Sequence, residues 1–131
     1  MRVQPVTEIM EDFAACPWQA VPDADLGVAA EVPTMLSREE GCLYHWLGRR
    51  AKGLGATVDL GAYAGGSAAR LLSGLALSGH PYHVHSYDRF RSSRAYWSRF
   101  LPDEPLPEAD DADLLPVVRR HLAPWADHVT L

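Results

Sequence analysis

Between Thr57 and Ser78 the chain carries a pattern that few folds accommodate. A short run, Thr57-Val58-Asp59-Leu60, is followed by a glycine-rich turn, Gly61-Ala62-Tyr63-Ala64-Gly65-Gly66-Ser67, and a helical periodicity begins at once. Strand, tight turn and helix in so few residues are the opening of a βαβ unit, whose second strand runs parallel to the first through a right-handed crossover. The run from Tyr82 to Tyr87, ending at Asp88, supplies that second strand at the required distance. The spacing predicts a buried strand over Thr57–Leu60 and a helix over Gly66–Ser78, with Ala68, Leu71, Leu72, Leu75 and Ala76 on one face. Gly79 and Pro81 stop that helix, and Tyr82–Tyr87 forms the next strand.

The flanking segments extend the alternation. Pro5, Pro17, Pro22 and Pro33 mark an extended lead-in, with one short helix around Thr7–Ala15. Ser37-Arg38-Glu39-Glu40 has the spacing of a capping box, which predicts a helix to about Lys52 with Leu43, Trp46 and Leu47 on its apolar face. Gly53 and Gly55 end it at positive φ without steric cost. Asp103–Asp113 is an acidic, proline-bearing loop. Asp111 or Asp113 then caps a helix to about Leu122, with Pro116 tolerated in the first turn. His128–Leu131 reads as a third strand.

The order helix, β, α, β, α, β specifies an α/β protein with a parallel sheet. The expected fold class is a Rossmann-like doubly wound sheet, represented by its first three strands and N-terminal helices. Two regions are expected: an N-terminal extension or lid over residues 1–36, and a cofactor-binding half-domain over 37–131. One edge of the central strand would then lack its neighbour.

The chain has 131 residues, 47% of them hydrophobic, enough for one domain with a core. A net charge of −5 argues against non-specific binding to nucleic acid or to a membrane surface, which favours basic faces. No apolar run is long enough to span a bilayer. Glu8, Glu11 and Asp12 occupy the place where a signal peptide would carry its apolar core. Cys16 and Cys42 stand far apart and outside any CxxC pattern, as in a reduced, cytoplasmic protein.

The turn suits a ligand. Gly61 lets the chain leave the strand sharply, while Gly65 and Gly66 let backbone approach a bound group without a Cβ in the way. The helix N-terminus beyond offers N–H groups and partial positive charge to a carboxylate or phosphate. Ser67 either caps that helix or meets the ligand. Asp88, at a strand's C-terminal end, can accept from two hydroxyls, or can serve as an ordinary turn or helix-capping residue. The dinucleotide fingerprint G-x-G-x-x-G is broken, because the glycines fall at Gly61, Gly65 and Gly66, and no Gly-Lys-Ser/Thr follows.

The run Asp59-Leu60-Gly61-x-x-x-Gly65 resembles motif I of class I S-adenosylmethionine-dependent methyltransferases. The sub-pattern Asp59-x-Gly61-Ala62-Tyr63-x-Gly65-x-Ser67 resembles small-molecule O-methyltransferases of the catechol type. His85-Ser86-Tyr87-Asp88-Arg89-Phe90 and Ala126–Leu131 look like the bacterial group of TylF-type sugar O-methyltransferases and cephalosporin-hydroxylase-like proteins. Tyr63 departs from the commoner glycine pattern but fits the catechol-like subset. The resemblance implies that Gly61, Ala62, Tyr63, Gly65, Gly66 and Ser67 surround the methionine part of S-adenosylmethionine, with Asp59 steadying the loop and facing the amino group. It implies that Asp88 takes the ribose hydroxyls and that Arg89 or Phe90 flanks the adenine. The expected function is methyl transfer to a small-molecule acceptor, at a hydroxyl. A base or a divalent metal would take the proton, but this segment supports no metal site and names no catalytic residue, because such groups follow the fourth strand. Two other readings stay open: an NAD(P)- or nucleotide-binding oxidoreductase half, and a non-catalytic module. The module would work as a homo-oligomer or with a missing C-terminal half.

Other motifs are weaker. His83 and His85, with His80 just before them, are spaced for one strand face and can ligate a metal, though no third ligand is spaced to join them. Arg89, Arg91, Arg94 and Arg99 interleave with Phe90, Tyr96, Trp97 and Phe100, which reads as an amphipathic helix with a solvated face more readily than as an anion site. The acidic loop lacks calcium-loop spacing and reads as solvated. Trp18, Trp46, Trp97 and Trp125 read as packing residues.

Overall fold

The computed structural model describes residues 6–131, with side chains from Met10 onward; Pro5 and the Glu8 side chain lie outside the described residues. The helices are α1 (Val6–Ala14), α2 (Asp23–Leu26), α3 (Arg38–Arg49), α4 (Gly66–Leu75), α5 (Arg94–Phe100) and α6 (Leu115–His121). The strands are β1 (Thr57–Leu60), β2 (Val84–Tyr87), β3 (Arg91–Ser92), β4 (Ala112–Asp113) and β5 (Val129–Thr130). Tight 3-10 turns cover Pro17–Ala20, Gly27–Glu31 and Ala123–His128. The fold is mixed α/β.

Strands β1, β2 and β5 form a parallel sheet in that order, with Thr57 beside Val84, Leu60 beside Tyr87, and His85 beside Thr130. Strands β3 and β4 make a separate two-residue antiparallel ribbon. The main core joins Leu72 and Leu75 of α4, Val84 of β2 and Val117 and Val118 of α6, with Trp97, Leu101, Leu122 and Trp125 around them.

The sheet is buried on one face. Side chains alternate along a strand, and the face turned to the core holds Thr57, Asp59, Val84 and Ser86. On the other face Val58, Leu60 and Tyr87 are 50%, 77% and 58% exposed. The expectation of a buried β1 therefore holds for Asp59 but not for its two large apolar residues.

Helix α3 begins with the expected capping box: Ser37 Oγ accepts from the Glu40 N–H at 3.2 Å, and Glu40 Oε2 accepts from the Ser37 N–H at 2.7 Å. Its buried face is not the predicted one. Gly41, Cys42, His45 and Gly48 are buried, while Leu47 is exposed. Glycines decide this. A Cβ on Gly48 would stand 2.4 Å from the Leu71 carbonyl oxygen, and one on Gly74 would stand 2.0 Å from that of His45. Helices α3 and α4 thus meet backbone to backbone, and the long apolar side chains of α3 are displaced to its flank. There Leu43 and Trp46 join a second cluster with Trp18, Leu26 and Cys42.

The N-terminal region is tied to α4 near its end. Buried Arg70 of α4 donates to the carbonyls of Val32 (3.1 Å), Gly66 (3.0 Å) and Ala30 (3.4 Å), tying residues 30–32 to the helix. Neither expected aspartate caps α6: the cap residue is Leu114, with no side-chain cap bond, while Asp113 Oδ1 accepts from the Leu115 N–H at 3.0 Å one residue earlier and Asp111 sits at φ +56° and pairs with Arg91.

Candidate functional site

The C-terminal ends of β1 and β2 converge on two turns. After β1, the Gly61 N–H donates to the Tyr87 carbonyl at 2.8 Å, and Gly61 adopts φ +88°. Gly65 follows at φ +95° as the residue that opens α4, and no side chain caps the helix. The first intrahelical bond runs from the Ala69 N–H to the Gly65 carbonyl at 2.9 Å. The N–H groups of Gly66, Ser67 and Ala68 precede that bond, so the helix supplies no carbonyl for them.

Asp59 is 5% exposed and stands behind this turn. Its Oδ2 accepts from Ser67 Oγ at 3.1 Å and from Ser86 Oγ at 2.8 Å, and Oδ1 receives no hydrogen bond from the described residues. Ser67 therefore neither caps the helix nor stands free for a ligand; it orients the carboxylate. Ser86, which the sequence reading passed over, does the same from the neighbouring strand, because the register sets it beside Asp59.

Gly65 and Gly66 have partners of their own. A Cβ on Gly66 would lie 2.4 Å from Thr34 Cβ, and one on Gly65 would lie 3.2 Å from Leu122 Cγ. These positions are small so that the Pro33–Thr34 segment and Leu122 can close on the turn. The N-terminal segment thereby comes to line the site, a contact no motif announced.

Asp88 ties the two turns together. Its Oδ2 accepts from the Tyr63 N–H at 3.0 Å, and its Oδ1 from the Phe90 N–H at 2.8 Å. Both donors are non-glycine residues in the left-handed region, Tyr63 at φ +44° and Phe90 at φ +52°. Such a conformation costs roughly 1–2 kcal/mol per residue, which charge-assisted bonds to one carboxylate offset. Each Asp88 oxygen keeps a second lone pair for a further donor. The Tyr63 hydroxyl lies 2.9 Å from Ser92 Oγ. Burial pushes the Tyr63 phenol up; the Ser92 hydrogen bond opposes this and the nearby Asp88 charge adds to it.

Two cavities share this ridge. A small one of about 90 Å³ lies among Thr34, Leu36, Tyr44, Asp59 and Ser67. A larger one of about 640 Å³ lies among Tyr87, Asp88, Arg89, Ser92, Ser93 and Tyr96. Met35, Gly61 and Tyr63 line both. Phe90, one of the two residues expected beside an adenine, is buried in the main core, while Arg89 is exposed at the cavity.

The arginine-rich and acidic segments, separate in the sequence, meet here. Arg91 pairs with Asp111 at 3.3 Å and the Arg94 N–H donates to Asp110 Oδ1 at 2.7 Å, while Glu104 pairs with Arg120 of α6 instead. The acidic loop is thus partly a counter-charge for the arginines, and only Arg94–Phe100 of that stretch is helical. Among the described residues no group of three or more His, Cys, Asp or Glu side chains is placed to hold a metal, and no helix is long and apolar enough to cross a membrane. Compared with known proteins, the chain matches no family model, and no curated protein is similar enough to count as a relative.

Proposed function

We propose that this chain is the cofactor-binding half of a Rossmann-like, doubly wound methyltransferase that binds S-adenosylmethionine and acts on a small-molecule acceptor. One observation carries the reading. Two carboxylates, Asp59 and Asp88, stand at the C-terminal ends of adjacent parallel strands, on either side of a glycine turn that opens an uncapped helix. Ligands of open α/β sheets bind in that position.

The residues fit the cofactor part by part. Asp59 Oδ1, without a partner among the described residues, suits the amino group of the methionine portion. The N–H groups at the start of α4 suit its carboxylate. The second lone pairs of Asp88 suit the ribose hydroxyls, and the roomier cavity with Tyr87, Arg89 and Tyr96 suits the adenine. When bound, the sulfonium supplies an electrophilic methyl group. The chain's own part is to hold and align it: Ser67 and Ser86 fix the Asp59 rotamer, and Asp88 fixes both turns, so the site is built before the ligand arrives.

Calorimetric titration with S-adenosylhomocysteine, with NAD in parallel, tests this. Binding of the former alone supports the reading. Binding of NAD alone turns it to an oxidoreductase half, and a folded chain that binds neither refutes it. Asp88→Asn serves better than Asp88→Ala as the site variant, since an amide still accepts one of the two backbone bonds. Its predicted effect is at least about a tenfold loss of affinity, from one weakened hydroxyl pair.

A further inference from the structure

A cavity of about 710 Å³ opens at the other end of the sheet, lined in part by Lys52, Thr57, Tyr82, His83 and His85. We infer that His83 and His85 form a two-imidazole chelate for a divalent transition-metal ion of the zinc, nickel or copper type. Residues two apart on an extended chain project to one side, and the ring centres lie 5.0 Å apart with planes tilted by 56°. Two imidazoles that share a tetrahedral ion, at metal–nitrogen distances of about 2.0–2.1 Å, place their ring centres roughly 5 Å apart. The ring-centre separation of the pair matches that value.

A second observation comes from β5. The Nε2 of His83 lies 2.7 Å from Thr130 Oγ1, and Thr130 stands beside His85 in the strand register. With Nε2–H donating to that hydroxyl, Nδ1 of His83 carries the free lone pair. This is how metal-binding histidines are oriented, by a partner on the nitrogen that does not bind the ion. Thr130 is therefore a positioning residue.

The ligand set also decides the ion. Two nitrogens without a carboxylate favour zinc, nickel or copper and give no purchase to magnesium or calcium, which require oxygen. Since no third protein ligand joins them among the described residues, water fills the other positions and leaves them exchangeable. The site lies at the opposite end of the strands from Asp59 and Asp88 and does not depend on what binds there.

The test is calorimetric titration of the full chain with Zn²⁺, with Mg²⁺ as the hard-ion control, on wild type and four variants checked for fold by circular dichroism. The expected result is one Zn²⁺ per chain and no response to Mg²⁺. His83→Ala and His85→Ala should each lose more than tenfold in affinity, Thr130→Val about tenfold, and His80→Ala nothing. Imidazole NMR signals of His83 and His85 should broaden first when Cu²⁺ is added to the wild type. A His85→Ala chain that binds Zn²⁺ like the wild type, or Cu²⁺ broadening that begins at other histidines, would overturn the site.

Discussion

The two faces of the parallel sheet invert the usual rule. On the helix-covered face, β1 and β2 present Thr57, Asp59, Val84 and Ser86, and on the bare face Val58, Leu60, His85 and Tyr87. Apart from Val84 inside and His85 outside, the inner positions are polar and the outer ones large and apolar. The inner polar groups are tolerated because they satisfy one another: Asp59 accepts from Ser67 and Ser86, and buried hydroxyls and carboxylates need such partners. The comparison teaches where to look for chemistry. A buried carboxylate held by two serines at a strand end, beside a small cavity that it helps to line, does little for packing, and the proposed function gives it a use.

The widest expected difference between the faces is in stability. Leu72→Ala, at a fully buried position of α4, should cost about 2–5 kcal/mol. Leu60→Ala on the bare face should stay within about 0.5 kcal/mol. Urea denaturation of both variants checks this, and a comparable loss at Leu60 would mean that the outer face is covered in solution. Next, Asp59→Ala leaves two buried hydroxyls without their acceptor and should cost about 1–3 kcal/mol. A triple change that also replaces Ser67 and Ser86 by Ala should recover part of that loss, which a thermal melt would show. Away from the sheet, Ser37→Ala removes one half of the capping box and should cost about 1 kcal/mol, with no effect on ligand affinity.

The smallest effect is a pH dependence at His45. Its Nδ1 lies 2.8 Å from the Ser73 hydroxyl, and its Nε2 is buried without a partner among the described residues. Burial holds its pKa below the ordinary 6.5; the Asp25 charge opposes this and the Arg49 charge adds to it. The folded chain thus binds this proton less readily than the unfolded one. Stability is retained above about 6.5, falls as the pH drops from there towards the lowered folded value, and then levels. Melting temperatures at neutral and mildly acidic pH should fall less in His45→Gln than in the wild type.

Much of the element order was legible in the sequence, for local reasons. Glycines at Gly53, Gly55, Gly61 and Gly65 do adopt positive φ, and the Ser37–Glu40 box does cap its helix. What could not be read was set by distant partners. The buried face of α3 follows from Gly48 meeting Leu71 and from Gly74 meeting His45, and hydropathy periodicity does not register a glycine contact. Residues on β1 face inward or outward according to which helices cover the sheet, so the run Thr57–Leu60 alone could not assign Val58. The candidate site divides in the same way. Asp59 and Asp88 stand out as acidic strand ends, whereas Thr34, Ser86 and Ser92 reach the site through register and loop closure and carry no local signal.

Amide NMR mapping with S-adenosylhomocysteine tests the central claim most directly. The account predicts that the signals of Gly61, Tyr63, Gly66, Ser67 and Phe90 shift first and saturate together, while those of His83 and Thr130 at the other end of the sheet stay in place. Shifts confined to that other end, or no shifts in a folded chain at saturating ligand, would contradict it.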